Sequence, residues 1–236
     1  MNTITTASRK FGWLDADVYL FDIDGTLLNT RDGIHRNALK RAMREAYGVE
    51  APLEGVIFHG KTDLGILRTA LARVDIVDGV FDAKLPQALA VVRQHVAESR
   101  GKLVAETCPA IPGALALLRE RGKLLGLASG NLESVGWLKV EAAGLRHFFS
   151  FGCFADVCEM RTGIFQHAAG EARRLAGPEG SICFVGDTPD DIEAARAADA
   201  HVIAVGTGIY PVRDLSALHP DVCVGSFADL LASAAD

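Results

Sequence analysis

No run of about 18 apolar residues occurs in this chain, so nothing in it reads as a membrane-spanning helix. The opening segment MNTITTASRKFGWLDAD also lacks the apolar stretch of a signal peptide. Cysteine is scarce, at 5 residues, and no CxxC pair is present, which speaks against a disulfide framework and a structural zinc site. Cys183 and Cys223 sit in apolar runs and read as small core residues. A reducing cytoplasm is the expected compartment. There is no basic excess either: 24 Lys and Arg face 30 Asp and Glu, for a net charge of −6. The footprint of a nucleic-acid binder is therefore missing. An anionic ligand would have to be drawn in by a local feature, such as a bound metal, rather than by the overall field. No internal repeat or low-complexity segment is visible.

What is present suits a globular protein. The chain has 236 residues, of which 49% are hydrophobic and 23% charged. That length fits a core domain carrying a smaller insertion. Short apolar runs read as buried strands at 18–21, 124–128, 149–154, 182–185, 202–205 and 222–224. Helical patterns lie between them at 111–121, 132–143, 165–175 and 189–198. Strand and helix alternate from about residue 111 onward, the pattern of a parallel sheet with helices on both faces. The stretch 33–106 breaks the alternation, with helical patterns at 35–47, 63–72 and 81–98 and no convincing strand. The expected architecture is α/β: a Rossmann-like core from 1–32 and 107–236, with an all-helical insertion at 33–106.

Three segments carry chemistry. In VYLFDIDGTLL a buried strand runs directly into Asp22 and Asp24. Ligands bind outside the carboxyl ends of strands in such sheets, and residues two apart point the same way in extended chain. A simple Asp–Gly turn is the plain alternative, but a turn does not require two acids at the end of a hydrophobic strand. In GLASGN, Ser129 closes a strand ahead of a helix, so Ser129, Gly130 and Asn131 offer an anion site. Capping of that helix by Ser129 or Asn131 is the alternative, and the residues leave both open. In FVGDTPDD, Thr188 reads as an N-cap, with Pro189 first in the helix and Asp191 placed for a capping box. Capping gives no reason for Asp187. An acid there, beside Asp22 and Asp24, makes an oxygen-rich site suited to Mg²⁺.

These segments, in this order and with a helical insertion after the first strand, resemble the haloacid dehalogenase superfamily across essentially the whole chain. DIDGTL is similar to its first motif, Ser129 to its second and GDTPDD to its fourth. The insertion resembles the family's C1 helical cap, and HGKTDLGIL resembles the cap segment of phosphoglycolate-phosphatase-like members. The resemblance implies a Mg²⁺-dependent phosphatase acting on a small phosphorylated metabolite, with 2-phosphoglycolate as a candidate and with neither nucleic acid nor membrane as partner. Asp22 would be the nucleophile and Asp24 the acid and base. Asp22, Asp187, the backbone of Asp24 and Asp191 would hold the metal. Ser129, with Gly130 and Asn131, would bind the phosphoryl group, and Lys61 and Thr62 of the cap would meet the substrate.

One motif departs from the family pattern. The usual lysine in a Lys-Pro context is replaced by CEMRTGIF, which makes Arg161 the nearest cation; Lys139 on the preceding helix is the other candidate, otherwise a surface salt-bridge residue. Other chemistries of the same fold are a sugar phosphomutase, a 2-haloacid dehalogenase, which has no need of Asp24 or Mg²⁺, and a phosphonate hydrolase, for which Lys61 would be the Schiff-base lysine. A partner-binding pseudoenzyme is the non-catalytic alternative, and an intact set of Asp22, Asp24, Ser129 and Asp187 argues against it.

Overall fold

The computed structural model describes residues 11–233. Most of the polar opening segment thus lies outside the described residues. Among those described, no helix is long and apolar enough to cross a membrane.

The centre of the fold is β1 (Val18–Phe21), four residues buried on both sides. It pairs in parallel with β4 (Leu124–Ala128) and β6 (Ile182–Gly186). The sheet is completed by β5 (Phe151–Cys153), β7 (His201–Val205) and β8 (Val222–Val224), in the order β5-β4-β1-β6-β7-β8. Side chains alternate along β1. Val18 and Leu20 join one apolar cluster, with α6 (Arg161–Ala176) and α7 (Pro189–Ala197). Tyr19 and Phe21 join a second, with α4 (Ile111–Glu120) and the helix Phe227–Ser233. Covering both faces explains why the strands read as unbroken apolar runs rather than as alternating ones. Full burial of a side chain such as Phe21 contributes about 1.5–3 kcal/mol. From β1 the chain goes to β4 and β5 on one side and returns to β6 on the other, so the carboxyl end of β1 faces the crevice where the strand order reverses.

The helical insertion contains α1 (Ile34–Ala42), continued by a π-helical turn at Met43–Tyr47, then α2 (Asp63–Ala72) and α3 (Asp78–Glu98). The chain enters and leaves it through a small antiparallel ribbon, β2 (Leu28–Thr30) on β3 (Ala105–Thr107). This ribbon corrects the strand-free reading of the insertion: three-residue strands paired across the whole insertion leave no periodic signal. A second correction concerns α6. It begins at Arg161 rather than at Phe165, so Arg161 opens a helix instead of sitting in a loop.

The insertion is docked on the core. Gly130 shows how closely: a Cβ there would lie 2.5 Å from the Lys61 carbonyl oxygen. The Asp63 amide donates to the Gly130 carbonyl at 2.8 Å, and Arg68 grips Glu159 with two nitrogens at 2.7 and 2.9 Å.

Candidate active site

Asp22 ends β1 and is buried, at 5% exposure. Asp187 follows β6 directly, on the strand next to β1, and Asp191 lies in the first turn of α7; both are fully buried. Carboxylate oxygens of the three lie within 4.8 Å of one another. Burial, and then the charges of neighbouring acids, push Asp22 and Asp187 well above the usual carboxylate range. Arg161 works against this on both. Its Nη2 is 3.1 Å from Asp22 Oδ1, and its Nε donates to Asp191 Oδ1 at 2.9 Å. Burial disfavours the Arg161 charge, but Asp191 and Asp22 outweigh it and raise the guanidinium further.

The capping box expected at Thr188 is present. Asp191 Oδ2 accepts from the Thr188 amide at 3.0 Å, while the Thr188 hydroxyl accepts from the Asp191 amide. Asp191 thus spends one oxygen on the cap and the other on Arg161. Asp187 is different. Thr26, two residues beyond Asp24, donates to Asp187 Oδ1 at 3.0 Å, but Asp187 Oδ2 is buried with no hydrogen-bond partner. Gly25, at φ 87°, and Gly208 both crowd this carboxylate so closely that any side chain there would displace it. An orphaned carboxylate oxygen among neighbouring carboxylates fits a hard dication with oxygen ligands, the chemistry of Mg²⁺.

Asp24, two residues beyond Asp22, meets a different set of partners. It contacts Asn131 Nδ2 at 2.8 Å and Lys139 Nζ at 2.7 and 2.9 Å. Burial alone would raise Asp24, but the Lys139 charge and these hydrogen bonds prevail and hold it below its ordinary value. The two acids that the sequence put together are therefore pushed in opposite directions by their surroundings. Lys139 is only 2% exposed, so the surface salt-bridge reading of it is wrong: it lies on the buried stripe of α5 (Glu133–Ala142) and meets Asp24.

Ser129 is buried, and its hydroxyl accepts from Asn131 Nδ2 at 3.0 Å. Neither residue caps α5, contrary to the capping alternative. The amide of Leu132, the cap position, donates to Asp63 of the insertion at 2.8 Å, and the Glu133 amide donates to Asp156. The Thr62 hydroxyl is committed elsewhere, accepting from the Gly65 amide to cap α2 and donating to the Glu159 carbonyl at 2.7 Å. Lys61 reaches Asp190 at 2.6 Å.

Asp22, Asp24, Gly130, Asn131 and Lys139 share a cavity of about 390 Å³ with Lys61, His35, His59 and Phe58 of the insertion. Sequence reasoning missed His35, whose Nδ1 is 3.0 Å from Lys139 Nζ, and Asp63, 3.0 Å from His35 Nε2. A lone histidine on an amphipathic helix gives no signal of a partner brought from the core.

The shifts on Asp22 and Asp187 have a testable consequence. Raised carboxylates bind protons that the unfolded chain does not, so their contribution to stability falls as pH rises through the folded-state values. A dication removes that penalty and competes with the protons. The rise in Tm on adding Mg²⁺ should therefore grow between about pH 5 and about pH 8. A Mg²⁺ shift that is largest at the acid end would count against a metal at these carboxylates.

A model of the family described as haloacid dehalogenase-like hydrolase matches residues 19–205. A probable phosphatase IndB of Dickeya dadantii is 29% identical over 219 residues, covering 91% of this chain and 92% of that protein. A phosphoglycolate phosphatase of Aliivibrio fischeri is 29% identical over 222 residues, covering 92% and 96%. The solved structure of a predicted phosphoglycolate phosphatase from Haemophilus somnus superposes with a TM-score of 0.65 at 19% identity, covering 94% of this chain and 100% of that one, a likeness of fold. With the first-motif acids at the end of β1 and the fourth-motif acids on the neighbouring strand and helix, the chain belongs to the haloacid dehalogenase-like hydrolases.

Proposed function

We propose that this protein is a Mg²⁺-dependent phosphatase that releases phosphate from a small phosphomonoester through an aspartyl-phosphate on Asp22. The observation that carries this reading is the setting of Asp22: a carboxylate at the mouth of β1, with Arg161 at 3.1 Å, Asp187 beside it and Asp24 lining the same cavity.

In the first half, an Asp22 oxygen attacks phosphorus, the bond from phosphorus to the substrate oxygen breaks, and protonated Asp24 gives that oxygen its proton. In the second, water attacks phosphorus and gives a proton to Asp24. The bond to Asp22 then breaks, releasing phosphate and the free carboxylate. Lys139 and Asn131 hold Asp24 in the ionised form that accepts the proton from water, and that proton is the one given to the leaving oxygen in the next turnover. Arg161 faces Asp22, placed to balance charge on the transferring group. Gly130 lines the cavity and, with Ser129 beside it, would meet the phosphoryl oxygens; Asn131 lines it too, but its side chain is engaged by Asp24, Ser129 and Lys139. Mg²⁺ would be held by Asp22 and Asp187, with the Asp24 backbone; Asp191, both oxygens engaged, acts through Arg161. When bound, Mg²⁺ offsets the repulsion between a carboxylate nucleophile and an anionic phosphate.

A cavity of about 390 Å³ is near the low end for small-molecule sites. Its cap wall includes Arg36, 3.8 Å from Glu54, and Lys61, paired with Asp190, two cations that would suit a substrate with a second anionic group. Given the relatives named as phosphoglycolate phosphatases, 2-phosphoglycolate is the first substrate to test. Thr62 supports this wall as a helix cap rather than by touching substrate. Phosphate release should be measured across a panel of small phosphomonoesters, with Mg²⁺ and with a chelator. Turnover that chelation brings to background is expected. Activity indifferent to chelation, or none on the whole panel, would remove the proposal.

A further inference from the structure

A lysine is rarely buried without a partner, because desolvating its charge costs several kcal/mol. Lys139 is buried on α5 between Val135 and Val140, and the site has four acceptor atoms for it. Its Nζ lies 2.9 Å from Asp24 Oδ1, 2.7 Å from Asp24 Oδ2, 2.8 Å from Asn131 Oδ1 and 3.0 Å from His35 Nδ1. Three protons thus serve four acceptors, and none is left for a phosphoryl oxygen. Asn131 closes the arrangement: its Oδ1 accepts from Lys139, while its Nδ2 donates to Asp24 Oδ2. The ammonium has only donors, which makes His35 Nδ1 an acceptor and leaves the ring proton on Nε2. Nε2 lies 3.0 Å from Asp63 Oδ1, off the line of a hydrogen bond.

We infer that Lys139 is the positioning residue for Asp24: with Asn131 it fixes both carboxylate oxygens against rotation, and through His35 it ties that orientation to the docked insertion. Arg161, at Asp22, serves the phosphoryl group; Lys139 serves the proton. The inference rests on Asp24 being the acid and base of the proposed reaction. Asp24 is 39% exposed through its opening to the cavity, and a carboxylate facing open space turns freely unless it is held.

The two halves of the reaction separate this role from that of a phosphate-binding cation. With p-nitrophenyl phosphate the leaving group needs no proton, so Asp22 takes the phosphoryl group whether or not Asp24 is aligned. Hydrolysis of the aspartyl-phosphate still needs Asp24 to accept a proton from water. In stopped flow, Lys139→Met should therefore give a burst approaching one p-nitrophenolate per enzyme, followed by a steady rate lowered about 10²- to 10⁴-fold, the scale of general acid–base catalysis. With 2-phosphoglycolate, or another alkyl phosphate that the wild-type enzyme turns over, formation of the phosphoenzyme should slow as well. Lys139→Arg should recover part of the steady rate. Asn131→Ala, which keeps the buried ion pair, should show the same pattern and covers the case in which Lys139→Met does not fold. Loss of the burst in folded Lys139→Met, or in Asn131→Ala, would place these residues on the phosphoryl group and overturn the inference. Asp24→Asn is the reference: if it shows no phosphoenzyme, the parent mechanism fails and the inference falls with it.

Discussion

Asp22→Asn should lower kcat by about 10⁴-fold or more, the scale on which enzymes lose activity when their nucleophile is removed. The amide has nearly the shape of the carboxylate but cannot attack phosphorus. The fold should survive, because β1 is held by the burial of Val18 to Phe21 on both faces of the sheet rather than by the side chain at its end. Burial, and then the like charges of Asp191 and Asp24, raise Asp22 above the ordinary carboxylate range, so neutralising it relieves both. Against that stands the lost pair with Arg161, which keeps Asp191 as its partner. A circular dichroism spectrum and Tm close to wild type should accompany the loss of turnover. A variant that keeps turnover within tenfold of wild type would take Asp22 out of the chemistry.

The second large effect belongs to Arg161. Arg161→Ala should lower kcat by about ten- to a thousand-fold, the range for one preorganised charge-stabilising contact. The guanidinium spans two acids, Asp22 and Asp191, and is placed to meet the phosphoryl oxygens as charge spreads over them. Arg161→Lys keeps the charge but not the planar fork, so it should fall between wild type and alanine. Unlike Lys139→Met, Arg161→Ala should diminish the p-nitrophenolate burst itself, since it acts on the transfer to Asp22. If Arg161→Ala is silent and Lys139→Met abolishes the burst, the two cations have exchanged roles. Stability should drop too, because three neighbouring carboxylates lose their nearest cation.

The parts of this site that could be read in the sequence are those in which neighbours along the chain are neighbours in space. Asp22 and Asp24 follow an apolar strand by one and three residues; Thr188, Pro189 and Asp191 write out a capping box within one helical turn. The parallel sheet with helices on both faces needed only the alternation of strands and helices, whereas its strand order left no mark in the sequence. Reading failed where a partner comes from far away. Asp63 of the insertion caps α5 in place of Ser129 or Asn131, and Glu159 receives Arg68 and Thr62 from the insertion. The Lys139 case was partly readable. Val135 and Lys139 are four apart on one helix, so the lysine fell on the apolar stripe, where burial with a partner is the physical expectation. His35, across the cavity on α1, had no such trace.

The most direct measurement is a rapid acid quench of the wild-type enzyme with labelled substrate and Mg²⁺, followed by peptide mapping. A covalent mechanism through Asp22 predicts a hydroxylamine-labile phosphoryl group on the peptide containing Asp22, formed and lost at rates compatible with turnover and absent in Asp22→Asn. A wild-type enzyme that turns over substrate while no phosphoryl group ever appears on that peptide, or one that carries it on another residue, would contradict the assignment of Asp22 as nucleophile.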